Sequence, residues 1–183
     1  MGKVIFGMTI SLDGFVADRN GDLRPLYPDL DALRQTEMLQ ESIRVTGAVV
    51  MGRRAYDLAQ GDLTGYEYQT PIFVVTHHAP ATAPKGQNEK LQVHFVTEGV
   101  QSAVAQAKAA AGDRDVTIIG GANIGQQCLR AGLVDELEIG IVSVLLGDGL
   151  RLFEPPGIPM ELEKVKVYES PGRIDIQFRI LKQ

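Results

Sequence analysis

Three turns in this sequence pair glycine with groups that could hold an anion. In Val49-Val50-Met51-Gly52-Arg53-Arg54 a buried-strand pattern ends, a glycine allows a tight turn, and a helix pattern opens on two arginines. Unpaired N–H groups and a partial positive charge at a helix start, joined by guanidinium groups, suit an anion. The same residues also suit a surface turn with solvated arginines. In Val116-Thr117-Ile118-Ile119-Gly120-Gly121-Ala122-Asn123-Ile124-Gly125 a second strand runs through two glycines into a helix. Side-chain-free positions there admit a phosphate close to the backbone, or simply make a tight turn. Gly120 and Gly125 satisfy G-x-x-x-x-G, but Gln126 and Gln127 follow where a triphosphatase needs Lys and a hydroxyl. The pattern is not a Rossmann fingerprint either, since G-x-G-x-x-G is absent. The third turn, Leu145-Leu146-Gly147-Asp148-Gly149, reads as a loop with apolar flanks that could line a subunit interface.

Two polar strand ends add to these turns. Thr76, His77 and His78 follow the apolar run Ile72–Val75, at the end of a strand where α/β proteins bind ligands. Adjacent histidines on a strand point to opposite sides, so they make a poor metal pair. Asp13, in Ser11-Leu12-Asp13-Gly14, is either an acid or a turn former. The single cysteine, Cys128, excludes an intrachain disulfide and nearly excludes a thiolate zinc site, so no metal is expected.

The elements that must position these residues alternate. Strands are expected at Val4–Ile10, Ala48–Met51, Ile72–Val75, Leu91–Val96, Val116–Ile119 and Leu137–Ser143. A mixed helical pattern covers Asp29–Val45 and is broken by Gly47, and a short helix starts at Arg53. Val100, Ala103, Val104, Ala107 and Ala111 form the clearest amphipathic stripe, at i, i+3, i+4, i+7 and i+11. A further helix spans Asn123–Ala131, with Gly132 placed for a left-handed C-terminal cap. Residues 78–89 form a loop. Two last strands, about Glu161–Tyr168 and Arg173–Leu181, flank the Ser170-Pro171-Gly172 turn signal. The pattern predicts one α/β domain over residues 1–183, with a mainly parallel sheet and a C-terminal antiparallel hairpin at its edge.

Composition narrows the function. Hydrophobic residues at 44% and charged residues at 22% are those of a globular chain. Lys plus Arg is 18 against 23 for Asp plus Glu, a net charge of −5, which disfavours nucleic acid and anionic membranes as partners. No signal peptide and no run of about 18 apolar residues is visible, so a cytoplasmic protein is expected.

Ser11-Leu12-Asp13-Gly14, Met51-Gly52-Arg53, Gly120-Gly121 and Leu145-Leu146-Gly147 occur in an order that resembles the dihydrofolate-reductase-like superfamily. The resemblance runs over nearly the whole chain. It is greatest to the branch holding the reductase domain of the bifunctional riboflavin-biosynthesis deaminase-reductase. It implies a three-layer fold with a central mixed sheet and an NADPH site. By this resemblance Gly52, Arg53 and Arg54 hold cofactor phosphates, and Thr76 and His77 receive the 2′-phosphate. Gly120, Gly121, Ala122, Asn123, Ile124 and Gly125 hold the pyrophosphate, with Ala122 where a third glycine is common. Val16, Ala17, Gly21, Asp22 and Leu23 belong to a mobile loop over the nicotinamide.

The sequence also departs from that pattern. It has no Trp for the mobile loop, Ser143 stands where a proline is common, and Cys128 alone cannot supply a zinc deaminase. Asp29 or Asp31 could stand where dihydrofolate reductases keep a pterin-binding acid. The expected function is an NADPH-dependent reductase of a small pterin-like or ribosylaminopyrimidine-like substrate, with Asp13 or Asp29 orienting substrate or relaying a proton. A water molecule could equally donate that proton. The alternative is an NADP(H)-binding sensor of the same fold without reductase activity. A short-chain dehydrogenase is excluded by the lack of Tyr-x-x-x-Lys. Pairing through the C-terminal strands and the apolar segment 139–152 would make a homodimer.

Overall fold

A computed structural model describes residues 2–154, 157 and 159–181. Among the described residues, ten strands and five α-helices follow one another. They are β1 (Val4–Ser11), β2 (Phe15–Ala17), α1 (Leu30–Arg34), α2 (Glu37–Val45), β3 (Thr46–Gly52), α3 (Arg53–Leu58), β4 (Ile72–Val75) and β5 (Val93–Val96). After them come α4 (Val100–Ala111), β6 (Asp115–Ile119), α5 (Ala122–Arg130), β7 (Glu136–Val142), β8 (Leu150–Arg151), β9 (Glu161–Ser170) and β10 (Arg173–Leu181). Eight strands hydrogen-bond in the order β5-β4-β3-β6-β1-β7-β10-β9, and β2 pairs with β8 apart from them. The chain divides into two compact units that share β1, Met1–Phe6 with Val45–Val134 and Gly7–Arg44 with Asp135–Gln183.

The first unit is a parallel α/β arrangement. β3 runs parallel to β4 and to β6, and β4 parallel to β5. β3, β4 and β6 are runs rich in β-branched residues and buried on both faces, which is why they read as continuous apolar stretches, whereas β5, with His94 exposed, is half-buried. Phe6, Val49, Val50, Ile72, Val74 and Ile118 have no solvent contact. The face that α4 buries is the stripe Val100, Ala103, Val104, Ala107 and Ala111 expected from its spacing. Gly47 does not separate helix from strand but lies within β3. A Cβ there would come within 2.7 Å of the Arg114 Cβ and 2.9 Å of Ala111, so its bareness lets the end of α4 close on the strand. Gly132 adopts φ +65°, and the Leu133 N–H donates to Cys128 O while Gly132 N–H donates to Leu129 O. This is the Schellman closure expected of α5.

The second unit is antiparallel in its outer strands. β10 pairs with β7 and β9, and the β9–β10 hairpin carries a register shift at Gln177/Phe178. The helical stretch expected over Asp29–Val45 is two helices. The Thr36 hydroxyl donates to Leu33 O at 2.7 Å and accepts from the Leu39 N–H at 3.3 Å, ending one helix and capping the next. β2 and β8 were not expected. Phe15 pairs with Arg151 and Ala17 with Leu150, and the Arg151 guanidinium lies 4.4 Å from the centre of the Phe15 ring.

Candidate functional site

The glycine corners of the first unit meet backbone to backbone. Gly52, at the end of β3, donates its N–H to Gly120 O at 3.2 Å. A Cβ on Gly52 would stand 2.8 Å from Ile124 Cγ1 of α5. Gly120 has φ +75°, and a Cβ there would stand 2.7 Å from the Ala55 Cβ of α3. Gly121, at φ +89°, is the N-cap of α5 and offers it no side-chain acceptor. The first turn of α5 therefore carries amide donors that no capping side chain uses, beside a surface of glycine backbone. Ala122 is buried and Asn123 is exposed, its Oδ1 accepting from Gln127 Nε2 at 2.6 Å. Gly125 acts from below. A Cβ at that position would collide with the Phe6 ring, which is wholly buried. The missing side chain is what allows α5 to seat on β1.

The third corner is tied to the first by Arg53. Its Nη1 donates to His78 O at 2.9 Å and to Thr76 Oγ1 at 3.4 Å, while its Nε donates to Asp57 Oδ1 at 2.7 Å. Thr76 is buried, and its hydroxyl donates to His78 O at 2.8 Å. Arg53 thus braces the corner after β4. Arg54 is exposed and pairs with no acid among the described residues, and His77 is exposed beyond the strand end. Positive charge and free donors are thereby placed along one run of corners: Gly52–Arg54, Thr76–His78 and Gly120–Gly125.

The remaining predicted site residues lie in the second unit. Val16 and Ala17 are not in a loop but buried in β2, because β8 closes a short ladder against it. Gly21, Asp22 and Leu23 lie in the turn that follows. Asp18 Oδ1 accepts there from the N–H groups of Asn20 and Asp22, and Asp22 holds the Arg24 guanidinium at 2.6 Å. Asp29 is the N-cap of α1, accepting from the Ala32 N–H at 2.9 Å, and is exposed. Asp13 accepts from Ser11 Oγ at 2.6 Å, Gly147 N–H at 2.7 Å and Leu146 N–H at 3.1 Å. The Ser11 hydroxyl leads these donors in holding its carboxyl down at about 2. Near neutral pH Asp13 is an anion that fastens the Leu145–Gly149 turn, not a store of protons.

One ionisable residue with an unusual setting escaped the sequence reading. Glu138, in the middle of β7, is half-buried, and burial first, then the Asp175 carboxylate, pushes its carboxyl up to about 7. Its position on the polar side of an alternating strand was visible in the sequence, but not the acids around it. Cys128 is buried, which raises its thiol to about 11 and leaves it unreactive. Among the described residues no group of three His, Cys, Asp or Glu could hold a metal ion, and no helix is long and apolar enough to cross a membrane.

A mixed, mainly parallel sheet with flanking helices, glycine corners and a C-terminal antiparallel hairpin defines a fold of the dihydrofolate-reductase type. A dihydrofolate reductase of Enterococcus faecalis, complexed with NADP(H), superposes with a TM-score of 0.61 at 14% identity, over 99% of this chain and 98% of that one. Residues 2–175 match the RibD C-terminal domain, and the chain belongs to that family. A candidate riboflavin biosynthesis protein of Shewanella sp. PV-4 has a TM-score of 0.78 at 22% identity, covering 98% of this chain and 99% of that one. The uncharacterised protein YyaP of Bacillus subtilis is 26% identical over 156 residues, 82% of this chain and 80% of that protein.

Proposed function

We propose that this protein is an NADPH-dependent reductase of a small pterin-like or ribosylaminopyrimidine-like substrate. The observation that carries the reading is the hydrogen bond between the Gly52 N–H and Gly120 O, which joins two strand-to-helix corners at the uncapped start of α5. A cradle of this kind fits a pyrophosphate. Gly52, Gly120 and Gly121 offer bare backbone, and α5 offers amide donors and the positive end of its dipole. Ala122, Asn123 and Ile124 form the helix turn that presents them, and Gly125 fixes the depth at which that turn sits. Arg54 and His77 are the exposed groups for a 2′-phosphate, with Arg53 and Thr76 holding their corner in place. When bound, the nicotinamide supplies a hydride to an electrophilic carbon of the substrate. Asp13 and Asp29 are assigned to orient substrate.

The family membership and the NADP(H) carried by the Enterococcus relative support the same reading. NADPH is expected to raise the melting temperature more than NADH at equal concentration. Equal shifts, or none, would remove the cofactor assignment. Oxidation of NADPH in the presence of reduced-pterin precursors or ribosylaminopyrimidines then identifies the substrate. Asp13 is held ionised by its donors and Asp29 is engaged as a helix cap. That specific observation favours, as a second reading, an NADP(H)-binding protein without turnover, which the same screen separates by binding without oxidation.

We also assign a homodimer in a reducing cytoplasm. Its interface is the apolar face of β7 and β10 around a groove of about 260 Å³, where Ile174 is 45% and Leu145 68% exposed. Light scattering of a monomer would reject it.

A further inference from the structure

The hairpin of β9 and β10 is inside out. In its register Tyr168, Lys166 and Glu163 of β9 stand beside Asp175, Gln177 and Arg179 of β10, while Glu169, Val167, Lys164 and Leu162 stand beside Ile174, Ile176, Phe178 and Ile180. Register partners share a face of the sheet, so the first set makes a polar face and the second a mainly apolar one. The polar face is the one that is satisfied. Asp175, 1% exposed, is gripped by Arg173, with Nε 2.9 Å from both carboxylate oxygens and Nη2 2.6 Å from one. Gly140 of β7 makes room for that pair, since a Cβ there would collide with both partners. Gln177 donates to Glu136 of β7 at 3.0 Å, Arg179 holds Glu163 at 2.8 Å, and Lys166 reaches Glu37 of α2 at 3.0 Å.

The apolar face has no such cover. Leu162, Val167 and Ile174 are 41%, 40% and 45% exposed, and Ile176, Phe178 and Ile180 are half-buried. A half-solvated hairpin ordinarily turns its apolar side to the core, and a contiguous apolar face left open marks an interaction surface. Two charges stand on this face, Glu169 and Lys164. Among the described residues neither side chain has a hydrogen bond or an ion pair. Their partners on β10, Ile174 and Phe178, lie two residues to either side of Ile176, whose own partner is Val167. The register shift at Gln177/Phe178 is what puts Lys164, rather than Val165, beside Phe178.

We propose that a second copy of this chain packs on the β9–β10 face, sheet against sheet, about a two-fold axis that crosses the strands at Val167 and Ile176, so that Glu169 of each copy meets Lys164 of the partner subunit. The inference rests on the homodimer assigned above and carries its interface onto β9. A closed pair joins a surface to itself, so the patch must be its own complement. Rotation about this axis brings Val167 and Ile176 onto their own counterparts and lays the Glu169–Ile174 row on the row of the partner's Lys164 and the partner's Phe178. An axis parallel to the strands, between β9 and β10, would lay Glu169 on the partner's Ile174 and Lys164 on the partner's Phe178, leaving all four charges against apolar groups. The apolar rows supply the attraction, and the two ion pairs select the orientation.

The test is sedimentation of the full chain. The wild type is expected to be a dimer. Glu169→Lys and Lys164→Glu each set like charges together at both pairs, and each is expected to raise the dimer Kd about ten-fold. An equimolar mixture of these two proteins is expected to recover the wild-type affinity as a heterodimer, because both pairs become complementary again. The double variant Glu169→Lys/Lys164→Glu should recover it alone. Both side chains are exposed, and recovery in the mixture shows that each variant is folded. Val167→Lys, which brings two ammonium groups together on the axis, is expected to give monomers. A monomeric wild type overturns the proposal together with the homodimer. A dimer whose Kd neither single variant changes, or losses that the mixture does not repair, overturns the axis and leaves the homodimer standing. A Val167→Lys protein that stays fully dimeric overturns the choice of this face.

Discussion

Replacing Gly125 by Ala separates packing from helix propensity, because the two effects have opposite signs. In the middle of a helix an alanine gains about 1 kcal/mol over glycine. Gly125 has no left-handed backbone to maintain, so that gain is available in full. Against it stands the Phe6 ring, with no solvent exposure, three of whose atoms the new Cβ would strike. Restoring an ordinary carbon–carbon separation requires the ring or α5 to retreat by roughly 1.5 Å. In a close-packed core such overpacking costs about 1–3 kcal/mol, and the burial of the ring puts this case at the upper end. The net expectation is a loss of about 2 kcal/mol, or about 4–8 °C in melting temperature for a chain of this size. Ile124 lies over Gly52, so a displaced α5 also opens the glycine cradle, and NADPH affinity should fall several-fold. Adding Phe6→Leu to Gly125→Ala vacates the contested volume and should recover stability relative to the single variant, a coupling that urea denaturation of the four proteins measures. A Gly125→Ala protein about 1 kcal/mol more stable than wild type, as propensity alone would give, would refute the reasoning.

Arg54→Ala should weaken NADPH about ten-fold while leaving NADH unchanged, as expected for one charged hydrogen bond to a phosphate, and titration calorimetry reads both. Asp13→Asn should loosen the Leu145–Gly149 turn, seen as faster limited proteolysis there. Because the Asp13 carboxyl is depressed to about 2, its contribution is present above its ordinary value of 3.8 and fades only as the pH falls through about 2. Between pH 5 and 8 the wild-type turn should show no pH dependence from this residue. Glu138 has the opposite sign. Raised from 4.5 to about 7, it contributes stability that is complete below 4.5 and lost as the pH rises through 7. Glu138→Gln should therefore match the wild type near pH 4.5 and exceed it at pH 8, by up to about 3 kcal/mol in denaturant melts.

What was legible in the sequence follows the range of the forces that set it. The limits of α4 were readable because i, i+3 and i+4 contacts are local, and the Gly132 cap because a left-handed residue leaves a glycine behind. The split at Thr36 was hidden, since one hydroxyl turning back on Leu33 overrides an otherwise continuous helical pattern. β2 and β8 were hidden for another reason. Three and two residues carry no period, and their pairing joins Phe15 to Arg151 across most of the chain.

The candidate site divides along the same line. Each corner was visible as a glycine between strand and helix, but a corner is only a turn until something brings it to another. The Gly52–Gly120 hydrogen bond and the reach of Arg53 to His78 supply that meeting, and both depend on the parallel order β4-β3-β6. Parallel neighbours carry their helix starts at the same end of the sheet, so a motif that is ambiguous once becomes a site when adjacent strands repeat it. Arg53 shows how the meeting changes a residue's meaning. The sequence makes it one of two equivalent guanidinium groups. The fold spends it on Asp57 and His78, so that in the proposed cofactor site Arg54, the group that remains exposed, is the guanidinium left to meet a phosphate.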